Sequence, residues 1–169
     1  MQQNSLLFLR LAFAVVLSAS QNLFSLIFTP LTIYPAAFFL SLFTDTTLHG
    51  KILTAGTTPI EFIPACIAAS AYLLLALLIL LTKDISLKKG IAIFLLGSLL
   101  ILIGNLIRIE VLIYLLLTKN INYFQQLHLL FWKILSSVYV VGIWILLTWL
   151  FHIKTIPFYS DFQTLHKRA

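Results

Sequence analysis

Between Gly90 and Thr118 the chain runs for 29 residues with only two charged side chains, Arg108 and Glu110. As a helix this segment is about 43 Å long, more than the roughly 30 Å hydrocarbon core of a bilayer. An apolar run of this length is not a strand of a soluble sheet. The whole sequence agrees: 61% of the 169 residues are hydrophobic and 9% charged, with a mean hydropathy of +1.06. An average soluble domain is about 25% charged. These values exclude a secreted, cytosolic or disordered chain and point to a polytopic membrane protein.

The expected fold is all-α, one integral membrane domain over residues 1–169 with about five transmembrane helices. The remaining spans are placed near Ser5–Phe28, Pro30–Phe43, Pro64–Leu81 and Leu127–Phe151. Pro30 is read as a helix starter and Pro35 as a kink. Between the second and third spans, Ile52 to Ile63 reads as two extended pieces around Gly56, an outer β-hairpin near residues 50–63. Lys83, Lys88, Lys89, Lys154, Lys167 and Arg168 fall on one side, Lys51 and Lys119 on the other. The basic excess puts the 83–89 loop and the C-terminal tail in the cytoplasm, and residues 44–63 and 119–126 outside. The expected location is the plasma membrane, multi-pass, with any site facing the extracytoplasmic side. The +6 balance is thus read as topology. No nucleic-acid motif or phosphate loop is present.

A charge inside a span needs a reason. Arg108 lies 18 residues beyond Gly90, in the outer half of its helix. Cys66 opens the third span and His128 the fifth, both at the outer end. A thiol, a guanidinium and an imidazole are thus expected at one depth. A free thiol, with a pKa near 8.5, is mostly protonated at pH 7 and needs a base or a fixed cation to act as a nucleophile. His128 is the candidate base, and Arg108 the group that holds a developing oxyanion. The trio suits acyl transfer through a thioester. Asn105 shares a helix face with Arg108 and is expected to orient it or to add an oxyanion donor. Phe131, Trp132, Leu135, Ser136 and Tyr139 continue the His128 face, and Trp132 and Ser136 are candidate groove residues. Glu110 and Lys133 are expected to form a structural ion pair. Gly97 and Gly104 allow close helix contact.

Plainer roles compete with these. A single Cys in an apolar setting is more often a small buried hydrophobe. A His at a span boundary is often interfacial, and Arg10 reads as snorkelling. One Cys excludes an internal disulfide, and the spacing of His49, His152 and His166 suggests no metal site.

Pro64-Ala65-Cys66 at a helix start, Asn105-Leu106-Ile107-Arg108-Ile109 within the next helix, and His128 before the last one resemble the exosortase/archaeosortase family of membrane transpeptidases. The resemblance covers about residues 49–150 and is greatest to short archaeal members. It implies that Cys66 is the nucleophile, Arg108 the motif arginine and His128 the third member of a catalytic triad. It also implies the substrates, exported proteins with a C-terminal transmembrane sorting tail, and a lipid or other acceptor for the acyl group. No cofactor is required. Bacterial members usually follow the Cys with Ser-Gly, where this chain has Ile67-Ala68. The expectation is therefore a membrane cysteine transpeptidase acting at the outer face. A small transport or channel subunit, which would need the charges but not Cys66, and a non-catalytic assembly factor are the alternatives.

Overall fold

The structure is a computed structural model that describes residues 2–82, 85–118, 121–131 and 136–153, with side chains described from residue 9 except at 121, 122 and 136. In chain order the elements are α1 (Gln2–Ser18), α2 (Gln21–Ser41), β1 (Thr46–His49), β2 (Ile52–Ala55) and β3 (Thr58–Glu61). They continue with α3 (Pro64–Ile67), α4 (Ala69–Leu81), α5 (Leu87–Leu117), α6 (Ile121–Leu130) and α7 (Ser136–Leu150).

The expected all-α bundle of about five spans is corrected in two places. First, the chain turns at residues 19–20, and α2 then runs through both Pro30 and Pro35. The two prolines each remove a helical donor, but Thr32, Ile33, Ala36 and Leu40 are buried along the inner face of this helix. Packing on one stripe outweighs the two lost bonds. Second, the third span breaks at Ala68, which takes a left-handed conformation at φ 57°. The last expected span carries α6 and α7, and residues 132–135 between them lie outside the described residues. Among the described residues two helices, α2 and α5, are long and apolar enough to cross a membrane; α4 and α7 are apolar but shorter. Trp132, Lys133, Lys83 and the basic tail lie outside the described residues.

The expected hairpin is a three-stranded antiparallel sheet in the order β1-β2-β3. Two-residue turns join the strands at Gly50-Lys51 and Gly56-Thr57. Gly50 and Gly56 have φ of +64° and +58°, and Lys51 and Thr57 do not share the positive value. This is the pattern of a type II′ turn, which needs glycine at its first central position. Leu48, Leu53 and Ile60 stand in register across the strands. With Ala55 and Phe62 they pack on Ile33, Ala36, Leu40, Ile109 and Ile113. The sheet is thereby fixed to α2 and α5, near the end of α5.

Helix α5 packs against α2, α4, α6 and α7. A second core, formed by Phe24, Phe28, Tyr72, Leu75, Ile93, Ile101, Ile143 and Leu147, fills the bundle away from the sheet. Glycines set the helix spacing. A Cβ on Gly97 would come within 2.6 Å of Leu75 Cδ2, and one on Gly104 within 2.5 Å of the Tyr139 ring. The outward faces are also apolar, with Val15, Leu26, Leu95, Ile145 and Trp149 all exposed. Water covers such a surface poorly, whereas lipid covers it well.

Candidate active site

Pro64 begins α3 at a position where its missing amide costs nothing, with Ile63 extended before it. One turn later the helix ends at Ala68. In an unbroken helix the carbonyls of Ala65 and Cys66 would accept from the amides of residues 69 and 70. The reversal at Ala68 interrupts that ladder on the turn that carries the only cysteine.

Two side chains from α5 replace the lost donors. Asn105 Nδ2 donates to the Cys66 carbonyl at 2.8 Å. Arg108 Nη2 donates to the Ala65 carbonyl at 3.0 Å and to the Cys66 carbonyl at 3.4 Å. Asn105 and Arg108 are three residues apart, one helical turn, so both reach the same break. Asn105 is buried and Arg108 half-buried. The sequence places these two on one face, as expected. The amide of Asn105 holds the cysteine turn directly. Inside an apolar bundle a carbonyl without a donor is costly, which gives both residues a structural task independent of any chemistry.

Cys66, Arg108 and His128 border one cavity of about 520 Å³. Its other walls include Ile60 to Ile63 at and just past the end of β3, Ile109, Leu112, Ile113 and Leu116 on α5, and Phe124, Leu129 and Phe131. This volume falls in the range of ligand pockets, roughly 300–1,000 Å³. Cys66 is a half-buried free thiol. His128 is exposed on α6, its ring stacked on Phe124 at a centroid distance of 5.7 Å. The structure thus puts the three side chains around one space, while no hydrogen bond joins Cys66 to His128 among the described residues.

A smaller cavity of about 280 Å³ lies behind Arg108, lined by Ala68, Ala71, Gly104, Asn105, Tyr139 and neighbouring apolar residues. The Tyr139 hydroxyl donates to the Leu100 carbonyl at 2.8 Å, tying α7 to α5 beside it. Of the two expected groove residues, Trp132 lies outside the described residues, and Ser136 is the first residue of α7 with its side chain outside them. Among the described residues Glu110 Oε1 is buried without a hydrogen-bond partner, and Lys133, its expected partner, lies outside them.

Sequence reasoning missed Ala68 and the cavity wall from Ile60 to Ile63. The first carries no Gly or Pro signal. The second is visible only as a short extended stretch before the cysteine. No family model, no curated protein and no solved structure matches the chain.

Proposed function

We propose that this chain is a membrane cysteine transpeptidase whose nucleophile is Cys66. The observation that carries the reading is the shared cavity of Cys66, Arg108 and His128. It is supported by a broken helix that presents the thiol on a turn held from α5. The resemblance to exosortases and archaeosortases adds one correspondence. The position where bacterial members carry glycine after the cysteine is Ala68, the left-handed residue here.

In the proposed reaction, Cys66 Sγ attacks the carbonyl carbon of a substrate peptide bond, and His128 takes the thiol proton. The positive charge of Arg108 at the cavity wall offsets the negative oxygen of the tetrahedral intermediate. Its collapse breaks the C–N bond, His128 protonates the departing amine, and a thioester remains on Cys66. An acceptor nucleophile then attacks the thioester and releases the thiol. The chain sits in the plasma membrane as a multi-pass protein with this cavity on the extracytoplasmic side. Its substrates are exported proteins with a C-terminal transmembrane tail, and a lipid or other group is the acceptor.

Alkylation of the purified protein by iodoacetamide at pH 7 tests the assignment. Cys66 should react at least about tenfold faster in the native chain than in His128→Ala, in line with the general-base contribution of a positioned imidazole. Equal rates would refute it. They would favour the second reading, a non-catalytic assembly protein, for which the hydrogen bonds of Asn105 and Arg108 to backbone carbonyls are role enough.

A further inference from the structure

One edge of the sheet runs directly into the candidate site. The amide of Phe62 donates to the Lys51 carbonyl at 2.9 Å, so Lys51 and Phe62 form a hydrogen-bonded pair. Alternation along an antiparallel ladder puts Leu53 with Ile60 and Ala55 with Thr58 in the same class. The backbone groups of Pro59, Glu61 and Ile63 therefore face away from β2. Among the described residues no strand pairs with that side of β3.

The cavity follows this open edge. Ile60, Glu61, Phe62 and Ile63 all border it, although successive side chains of a strand turn to opposite faces. Ile60 and Glu61, the last two residues of β3, turn to opposite faces, so a space that borders both lies at the edge of the strand. Three residues past Ile63 the same cavity meets Cys66. Pro59 lacks an amide and closes the edge at its far end, a common way to limit strand pairing. What remains is short: the Pro59 carbonyl, both polar groups of Glu61 and the amide of Ile63.

We infer that an extended peptide segment of the substrate adds to the open edge of β3 as a fourth strand, and that this pairing delivers its scissile bond to Cys66. The inference rests on the proposed transpeptidase reading and names how its substrate is held. The bonds are to main-chain atoms, so they fix the substrate's position and leave side-chain preference to the cavity walls. Two substrate amides, two residues apart, would donate to the carbonyls of Pro59 and Glu61.

The test is the rate at which acetyl-pentaalanyl chloromethyl ketone alkylates Cys66 in the full-length protein in detergent, compared with analogues N-methylated at one amide at a time. Iodoacetamide measures the thiol without a peptide. Pairing predicts a period-two pattern, with methylation at two alternate amides slowing alkylation about fivefold or more, the scale of one lost hydrogen bond each, and the intervening positions near the parent rate. Glu61→Pro, which puts a ring in the edge, should abolish the pattern. A flat scan with fast iodoacetamide alkylation that still depends on His128 would overturn strand pairing while leaving the nucleophile in place. Slow alkylation by both reagents, indifferent to His128→Ala, would overturn the transpeptidase reading itself and this inference with it. The N-methyl scan uses the native chain, so it decides even if Glu61→Pro does not fold.

Discussion

Replacing Asn105 by Leu removes the shortest side-chain bond at the break between α3 and α4 and changes little else. The side chain is 6% exposed, and its amide donates to the Cys66 carbonyl at 2.8 Å. Leu has nearly the same size, so the packing against α4 is largely kept. Among the described residues the Cys66 carbonyl is then left with the 3.4 Å contact from Arg108 Nη2. Leaving a buried acceptor poorly satisfied costs about 1–3 kcal/mol. For a chain of this length 1 kcal/mol corresponds to about 2–4 °C in Tm, so a loss near 2 kcal/mol lowers Tm by about 4–8 °C. Tryptophan fluorescence during thermal unfolding of the detergent-solubilised protein gives the value. A second readout is local: a loosened turn should let a bulky maleimide reach Cys66 faster at temperatures well below Tm. A variant as stable as the native chain, with unchanged maleimide kinetics, would refute the claim that Asn105 holds this turn.

Other consequences are as direct. Ala68→Gly should stabilise the fold by about 1 kcal/mol, because the left-handed conformation strains an alanine and not a glycine; a lower Tm in that variant would contradict the observed break. Gly104→Ala places a Cβ 2.5 Å from the Tyr139 ring, which its hydroxyl bond to Leu100 keeps in place. Overpacking of this kind costs about 1–3 kcal/mol, and restoration of Tm by Tyr139→Ala in the Gly104→Ala background would identify the contact. Leu53 is fully buried at the centre of the sheet, so Leu53→Ala should destabilise by about 2–5 kcal/mol, measured by the same unfolding assay.

Some of this arrangement is legible in the residues and some is not. The long apolar helix around Arg108 is plain from hydropathy alone, and α5 extends only a few residues beyond the expected start. Gly56 marks a turn because an open two-residue connection needs a positive φ there, and the sequence pattern locates it. Strand β1 is hidden. Thr46 to His49 is too short to read as a strand, and its Leu48 becomes meaningful only beside Leu53 and Ile60. Pro30 and Pro35 point the wrong way, since local propensity suggests a boundary that burial of Ala36 and Leu40 overrides. The break at Ala68 leaves no mark, because alanine is the residue least expected to end a helix.

The site divides along the same line. Side chains that carry chemistry announce themselves, so Cys66, Arg108 and His128 are found from type and depth, and they do border one cavity. The targets of Asn105 and Arg108 are backbone carbonyls, which every residue possesses and no sequence distinguishes. Beside the expected oxyanion role of Asn105 stands a structural one, visible only after the helix is seen to break. The extended edge beside Cys66 is likewise a property of pairing, which depends on what β3 lacks on one side.

The central claim, that Cys66 forms a thioester with help from His128, is tested most directly by acylation with acetyl-trialanine p-nitrophenyl ester. The account predicts a rapid release of about one p-nitrophenol per chain, as expected for an accumulating acyl-enzyme. Peptide mass spectrometry should find the acyl group on Cys66, hydroxylamine should remove it, and His128→Ala should slow its formation at least about tenfold. An acyl group on another residue, or an adduct at Cys66 that forms equally fast without His128, would contradict the account.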